Sequence, residues 1–212
     1  MVLFCDDVDD VDQEGYELLF SLMPFYRKKR ISRYAKYEDR VLGVASYALL
    51  KYVMYLMGIP EGDIEIGTYG KPYFKGKHVY FNISHTSNAI ACAVESSEVG
   101  VDIQNNIREY ERIIKRVCTP SEIEKIRSDA LPIQYFTKLW TLKESYVKCI
   151  GTGIWDSISQ IDFSTFDTEC GRLHGYYFTC KSTEEYCLSV CSKDGKADIQ
   201  KIGVGDILKQ II

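Results

Sequence analysis

The sequence predicts an α+β fold built as a pseudo-dimer of two similar α+β halves, joined near residue 100. Three observations carry this. Residues 37–57 place apolar side chains at helical spacing, residues 78–104 change to strand alternation and short apolar runs, and helices followed by strands return in the second half. Strands that follow one another through short turns favour hairpins over a parallel βαβ arrangement.

The first helical stretch, 16–33, has a basic second half, "RKKRISR", with Arg27, Arg30 and Arg33 on one face. In 37–57 the apolar positions 41, 44, 45, 48, 49, 52, 53 and 56 form one stripe, and Gly58 and Pro60 end the helix. "HVYFNIS" (78–84) alternates with Val79, Phe81 and Ile83 on one side. "HTSN" supplies a turn, and "AIACAV" (89–94) reads as a strand buried on both faces. In "VGVDIQ" (99–104) Val99, Val101 and Ile103 share one face, which puts Asp102 and Gln104 together on the other.

Thr119, Pro120 and Glu122 have the spacing of a capping box and open a helix over 120–128. Another helix runs over about 132–150 and stops at Gly151. The tail returns to strands in "ISQIDFS", "LHGYYFTCK" and "YCLSVCS". The expected division is therefore 1–100 and 101–212.

A chain of 212 residues that is 46% hydrophobic can bury a large core. Its net charge of -4 provides no general basic field, which sets nucleic acid aside and requires any polyanion to be gripped by a local cluster. The opening "MVLFCDDVDDVDQEG" has acids where a signal peptide carries lysines, and no apolar run approaches the ~20 residues of a membrane span. A cytoplasmic protein with no membrane partner is expected. Its eight cysteines are expected as free thiols, because Cys180, Cys187 and Cys191 lack zinc-ligand spacing.

Trp140, Glu144 and Lys148 lie at i, i+4 and i+8 and share a helix face. The ordinary reading is an exposed Glu to Lys pair contributing a few tenths of a kcal/mol. Asp102 points elsewhere. A carboxylate flanked in a strand by valines and isoleucine needs a partner, since an unpaired buried charge costs several kcal/mol. A basic side chain or a cation would serve. A hard cation such as Mg²⁺ takes oxygen ligands, and Asp102, the Gln104 amide oxygen and Glu144 make such a set.

"NISHTSNAI" invites a hydrolase built on Ser84, His85 and Asp102, but neighbouring strand residues point to opposite faces and no G-x-S-x-G elbow surrounds the serine. Ser84 and His85 fit better as donors to a phosphate at a strand end. In "YGKPYF", Pro72 biases Lys71 toward an extended backbone; with the arginines of the first helix, Lys71 could supply the local cationic grip.

Together, "GKPYF…FNISHTSNAIACAVESSEVGVDIQ", "TPSEIEKI" and "FTKLWTLKESYVKCIGTGI" resemble the 4'-phosphopantetheinyl transferases of the Sfp type, densely from about residue 66 to 155. The resemblance implies transfer of 4'-phosphopantetheine from coenzyme A to a serine of an apo acyl or peptidyl carrier protein, with release of 3',5'-ADP and with Mg²⁺ as cofactor. It implies a monomeric pseudo-dimer with coenzyme A in the cleft between the halves. Asp102 and Glu144 then look like metal ligands with Gln104 beside them. Lys148 resembles the lysine on the pyrophosphate. Lys71, Ser84 and His85, joined by Arg27 and Arg30, resemble contacts to the coenzyme A 3'-phosphate and its neighbourhood. Glu122 resembles a glutamate that, with Glu144 or a metal-bound water, deprotonates the serine; which of them is the base is left open.

The family carries a glutamate where this chain has Gln104, so one formal charge is missing. The segment 105–118, "NNIREYERIIKRVC", mixes isoleucines with Arg108, Arg112, Lys115 and Arg116 and is the candidate docking surface for an acidic carrier. The competing reading is a catalytically silent coenzyme A or nucleotide-binding module of the same fold, for which Gln104 is the one hint. The sequence leaves open whether fatty acid, polyketide or nonribosomal peptide carriers are served.

Overall fold

The computed structural model describes residues 1–60, 62, 64–76, 78–153 and 158–211. The chain is α+β. Its first part forms β1 (Val2–Cys5), α1 (Gln13–Ser21), α2 (Phe25–Ile31), α3 (Tyr37–Leu56), β2 (Ile64–Ile66), β3 (Pro72–Phe74), β4 (Tyr80–His85) and β5 (Ile90–Glu95). There follow β6 (Val99–Asn105), α4 (Ile114–Val117), α5 (Pro120–Ser128), α6 (Pro132–Ile150), β7 (Cys170–Leu173), β8 (Tyr176–Ser182), β9 (Tyr186–Ser192), β10 (Ile199–Lys201) and α7 (Val204–Ile211).

Two compact units result, and they do not follow chain order. One comprises Met1–Glu61, Ile83–Cys92 and Asp198–Ile212, the other Gly62–Asn82 and Ala93–Ala197. A single boundary at residue 100 does not describe this division. The chain changes unit within β4 and within β5, and its last segment returns to the first unit, where β10 pairs in parallel with β1 through Val2↔Ile199 and Phe4↔Lys201.

In the first unit a sheet of order β10-β1-β5-β4 accompanies α3. Val44, Leu49 and Val53 of the apolar stripe are fully buried, while Leu56 at its end is exposed. Gly58, at φ +64°, takes the left-handed conformation that closes the helix, as its position after the stripe predicted. The single helix expected over 16–33 is two helices. Pro24 has no N–H to continue α1 and stands in extended backbone as the N-cap of α2.

The second unit holds an antiparallel sheet of order β6-β9-β8-β7, with α6 against β6 and β9. Helices α5 and α6 occupy the expected ranges, and the Thr119–Glu122 capping box forms in both directions. Two strand expectations need correction. "ISQIDFS" is a 3-10 turn at Ile158–Gln160 followed by irregular chain. "LHGYYFTCK" is not one strand but the end of β7, a turn and β8, because His174 and Gly175 adopt φ +49° and +81°. In the basic segment a 3-10 turn at Tyr110–Arg112 leads into the four residues of α4. All eight cysteines are free thiols.

Candidate active site

The site is made by the close approach of α6 to β6. A Cβ at Gly100 would collide with the backbone of Ser145 and Cys149, so glycine lets the helix lie directly on the strand. The face of β6 that contains Gly100 also contains Asp102 and Gln104, as period-2 alternation requires. Glu144 and Lys148, one turn apart on α6, are brought over this face.

Lys148 Nζ lies 2.5 Å from Asp102 Oδ1 and donates a longer hydrogen bond, 3.4 Å, to the carbonyl of Val101. Asp102 is only 5% exposed, while Lys148 keeps part of its surface in solvent. Glu144 is half-buried, and its pKa is pushed up to about 7, first by burial and then by the charge of Asp102; Lys148 opposes the shift. The three predicted groups therefore form one electrostatic cluster. Gln104, half-buried, follows on the same face of β6. Among the described residues no group of three or more His, Cys, Asp and Glu converges as a metal cluster.

Glu122 is elsewhere. It is fully buried at the start of α5, where Oε2 accepts from the Thr119 N–H at 2.7 Å and Oε1 from the Phe163 N–H at 2.8 Å. Lys143 Nζ lies 2.7 Å from the same Oε2 and donates to the carbonyls of Val117 at 2.6 Å and Ile158 at 3.1 Å. Both Glu122 oxygens are occupied and no solvent reaches them. Here Glu122 is an ion-pair partner of Lys143 and part of the helix cap of α5. Lys143, which the sequence places beside the face of Trp140, Glu144 and Lys148, is the buried partner of Glu122.

Lys71, half-buried, turns its ammonium onto the carbonyls of Cys149 at 2.8 Å and Val99 at 3.1 Å, and burial lowers its pKa. It fastens the end of α6 to the start of β6, and these two bonds use two of its three N–H donors.

The remaining predicted residues belong to the first unit. Arg27 and Arg30 sit a turn apart on α2. The Arg27 guanidinium lies over the Tyr47 ring, 5.1 Å from its centroid, and burial together with the charge of Arg30 lowers its pKa. Its Nε is buried without a hydrogen-bond partner among the described residues, as a donor awaiting an anion would be. Ser84 is buried and His85 exposed at the end of β4, on opposite faces, before a turn closed by the Thr86 N–H to the Ala89 carbonyl at 2.8 Å.

Residues 98–198, which hold Asp102, Glu144, Lys143, Lys148 and the docking segment, match the 4'-phosphopantetheinyl transferase superfamily. A 4'-phosphopantetheinyl transferase of Bacillus subtilis is 32% identical over 64% of this chain and 66% of its own length. Over residues 98–198 the chain carries the superfamily's domain. Similar to the chain are also the 4'-phosphopantetheinyl transferase gsp of Aneurinibacillus migulanus, 29% identical over 74% of this chain and 68% of that protein, and a yeast L-aminoadipate-semialdehyde dehydrogenase-phosphopantetheinyl transferase, 27% identical over 72% and 61%. The match spans about two thirds or less of these relatives' own length. Within the superfamily region, the sequence pattern did signal Lys143. It lies seven residues after Phe136 and four after Leu139, on the stripe that α6 buries, where a lysine needs a buried partner.

Proposed function

We propose that the protein transfers the 4'-phosphopantetheine group of coenzyme A to a serine hydroxyl of an apo acyl or peptidyl carrier protein, releasing 3',5'-ADP. The observation that carries this is the Asp102, Glu144 and Lys148 cluster, two acids and a lysine assembled on adjoining elements with the Lys148–Asp102 contact at 2.5 Å. The superfamily's domain over residues 98–198 supports it.

Two carboxylates and the amide oxygen of Gln104 are hard oxygen donors, the chemistry that suits Mg²⁺. Asp102 and Glu144 would hold the ion, with Gln104 beside them; the cation supplies charge neutralisation to a pyrophosphate under attack. The chain's own residues do the rest. Lys148, whose side chain is partly exposed, would place positive charge where the leaving phosphate develops negative charge. The serine oxygen forms a bond to the β-phosphorus, the bond from that phosphorus to the bridging oxygen breaks, and 3',5'-ADP departs. With Glu122 committed to Lys143, Glu144 is the residue of the predicted set left to accept the serine proton. Arg27 and Arg30, with Ser84 and His85, would bind the 3'-phosphate end of coenzyme A. The two-half arrangement implied by the family belongs to this proposal, as does a monomeric protein.

The carrier would dock on 105–118. Ile114 is buried, and Ile107 and Ile113 pack against the core, while Arg108, Arg112, Lys115 and Arg116 are exposed. The isoleucines are spent on the fold, so the surface offered to an acidic carrier is basic. Incubation with coenzyme A, Mg²⁺ and apo carriers, followed by mass spectrometry of the carrier, tests the reading. Addition of phosphopantetheine, lost in Asp102→Asn, is expected; no addition to any carrier of the acyl and peptidyl classes would leave the silent binding module.

A further inference from the structure

The basic segment 107–117 contains little regular structure, yet it is fastened to α6 at three points. At its start, the Ile107 N–H donates to Thr137 Oγ1 at 2.9 Å, and that hydroxyl donates in turn to the Ile133 carbonyl at 2.8 Å. In its middle, the Tyr110 ring stacks on Phe136 with centroids 5.2 Å apart. At its end, Lys143 Nζ donates to the Val117 carbonyl at 2.6 Å while paired with Glu122. Thr137 and Lys143 have essentially no exposed surface. Neither touches the Asp102, Glu144 and Lys148 cluster through any described contact, but both stand on the helix that carries two of its members.

A buried polar side chain on a helix is an expensive way to hold a surface loop if the loop only has to cover the core, where an apolar contact serves as well. Hydrogen bonds add direction and register. Here they set the register between the surface offered to a macromolecular substrate and the helix that delivers the reacting groups. An attacking oxygen must arrive in line, and a displacement of about 1 Å costs about 10²-fold in rate.

We propose that Thr137 and Lys143, the latter with Glu122, are positioning residues that hold the carrier-docking segment 107–117 in register with Glu144 and Lys148. This rests on the transferase reading above. Their function is to make docking productive, by fixing where a bound carrier lies along α6.

The decisive variant is Thr137→Val, which keeps shape and removes the acceptor for the Ile107 N–H, with Thr137→Ser as the conservative rescue. Thr137→Val should raise the KM for apo carrier about tenfold while leaving the KM for coenzyme A unchanged, and Thr137→Ser should restore it. Amide hydrogen exchange should speed up over 107–117 and not within α6. The double variant Glu122→Met with Lys143→Met, which leaves no buried charge alone, should show the same split between the two substrates. A folded Thr137→Val protein with an unchanged carrier KM overturns the inference and leaves the transferase reading standing. Wild-type protein that modifies no carrier overturns both.

Discussion

Of the lysines of helix α6, Lys143 and Lys148 are each paired with an acid, and the two pairs differ in one respect. Lys143 and Glu122 are 1% and 0% exposed, and besides each other they bond to four backbone groups. The side chains of Lys148 and Asp102 are 28% and 8% exposed, next to the Glu144 carboxyl whose pKa burial raises. The same residue types make structure where they are saturated and dry, and chemistry where one partner still meets water. Each of the following changes acts on one side of that contrast.

The largest effect on folding belongs to the saturated pair. Lys143→Met abandons the Glu122 carboxylate in the core and should destabilise by about 3–5 kcal/mol in urea unfolding, whereas Glu122→Met with Lys143→Met should recover most of the loss. If the single change were tolerated, the pair would be less committed than its geometry shows. Lys148→Met leaves Asp102 buried but next to solvent, so it should cost less stability than Lys143→Met, while turnover falls about 10²–10³-fold. A loss of stability in Lys148→Met equal to that of Lys143→Met would erase the contrast.

The open site was the more legible of the two in the sequence. Alternation in "VGVDIQ" and the i, i+4 spacing of Glu144 and Lys148 are local signals, and each element formed where it was read. The capping box of α5 was equally local, but its spacing gives no hint that Glu122 is also taken by Lys143, which lies 21 residues on and meets it only in the folded chain. Irregular segments were hidden for the same reason. Ile158 and Phe163 look like strand residues, and they are buried, yet their backbone serves Lys143 and Glu122 rather than a sheet. Pro24 and the His174–Gly175 turn were visible signals that apolar and basic patterning outweighed.

Acid titration separates the pairs further. In the unliganded protein the Glu144 carboxyl sits at about 7, above its ordinary 4.5, so the native state holds a proton that the unfolded chain releases between those values. Glu144 therefore favours folding fully below about 4.5, and that contribution declines as pH rises through about 7. Melting temperature measured across this window should fall with rising pH in the wild type relative to Glu144→Gln. A parallel pair of curves would mean that Asp102 and burial do not act on Glu144 as the geometry requires.

Gln104 tunes the open side alone. Restoring a carboxylate with Gln104→Glu adds a third acid to the face shared with Asp102, and half-maximal activity should need about tenfold less Mg²⁺. Stability of the Lys143–Glu122 pair should not change. An unaltered Mg²⁺ dependence would remove Gln104 from the cation's surroundings.

The smallest expected effect lies on the surface that the saturated pair holds in place. Arg112 is already engaged with Glu109 at 2.6 Å and both are well exposed, so its charge is partly cancelled before a carrier arrives; Lys115 is exposed next to α5. Exposed pairs contribute about 0.2–1 kcal/mol each, so reversing both charges, Arg112→Glu with Lys115→Glu, should raise the KM for an acidic carrier by about three- to tenfold. The KM for coenzyme A should stay put, and the defect should shrink as salt screens the surface, because rim charges act mainly on encounter. A salt-independent defect would place the effect in the buried fastening of 107–117 instead, and so would shift weight from the charges a carrier meets to the residues beneath them.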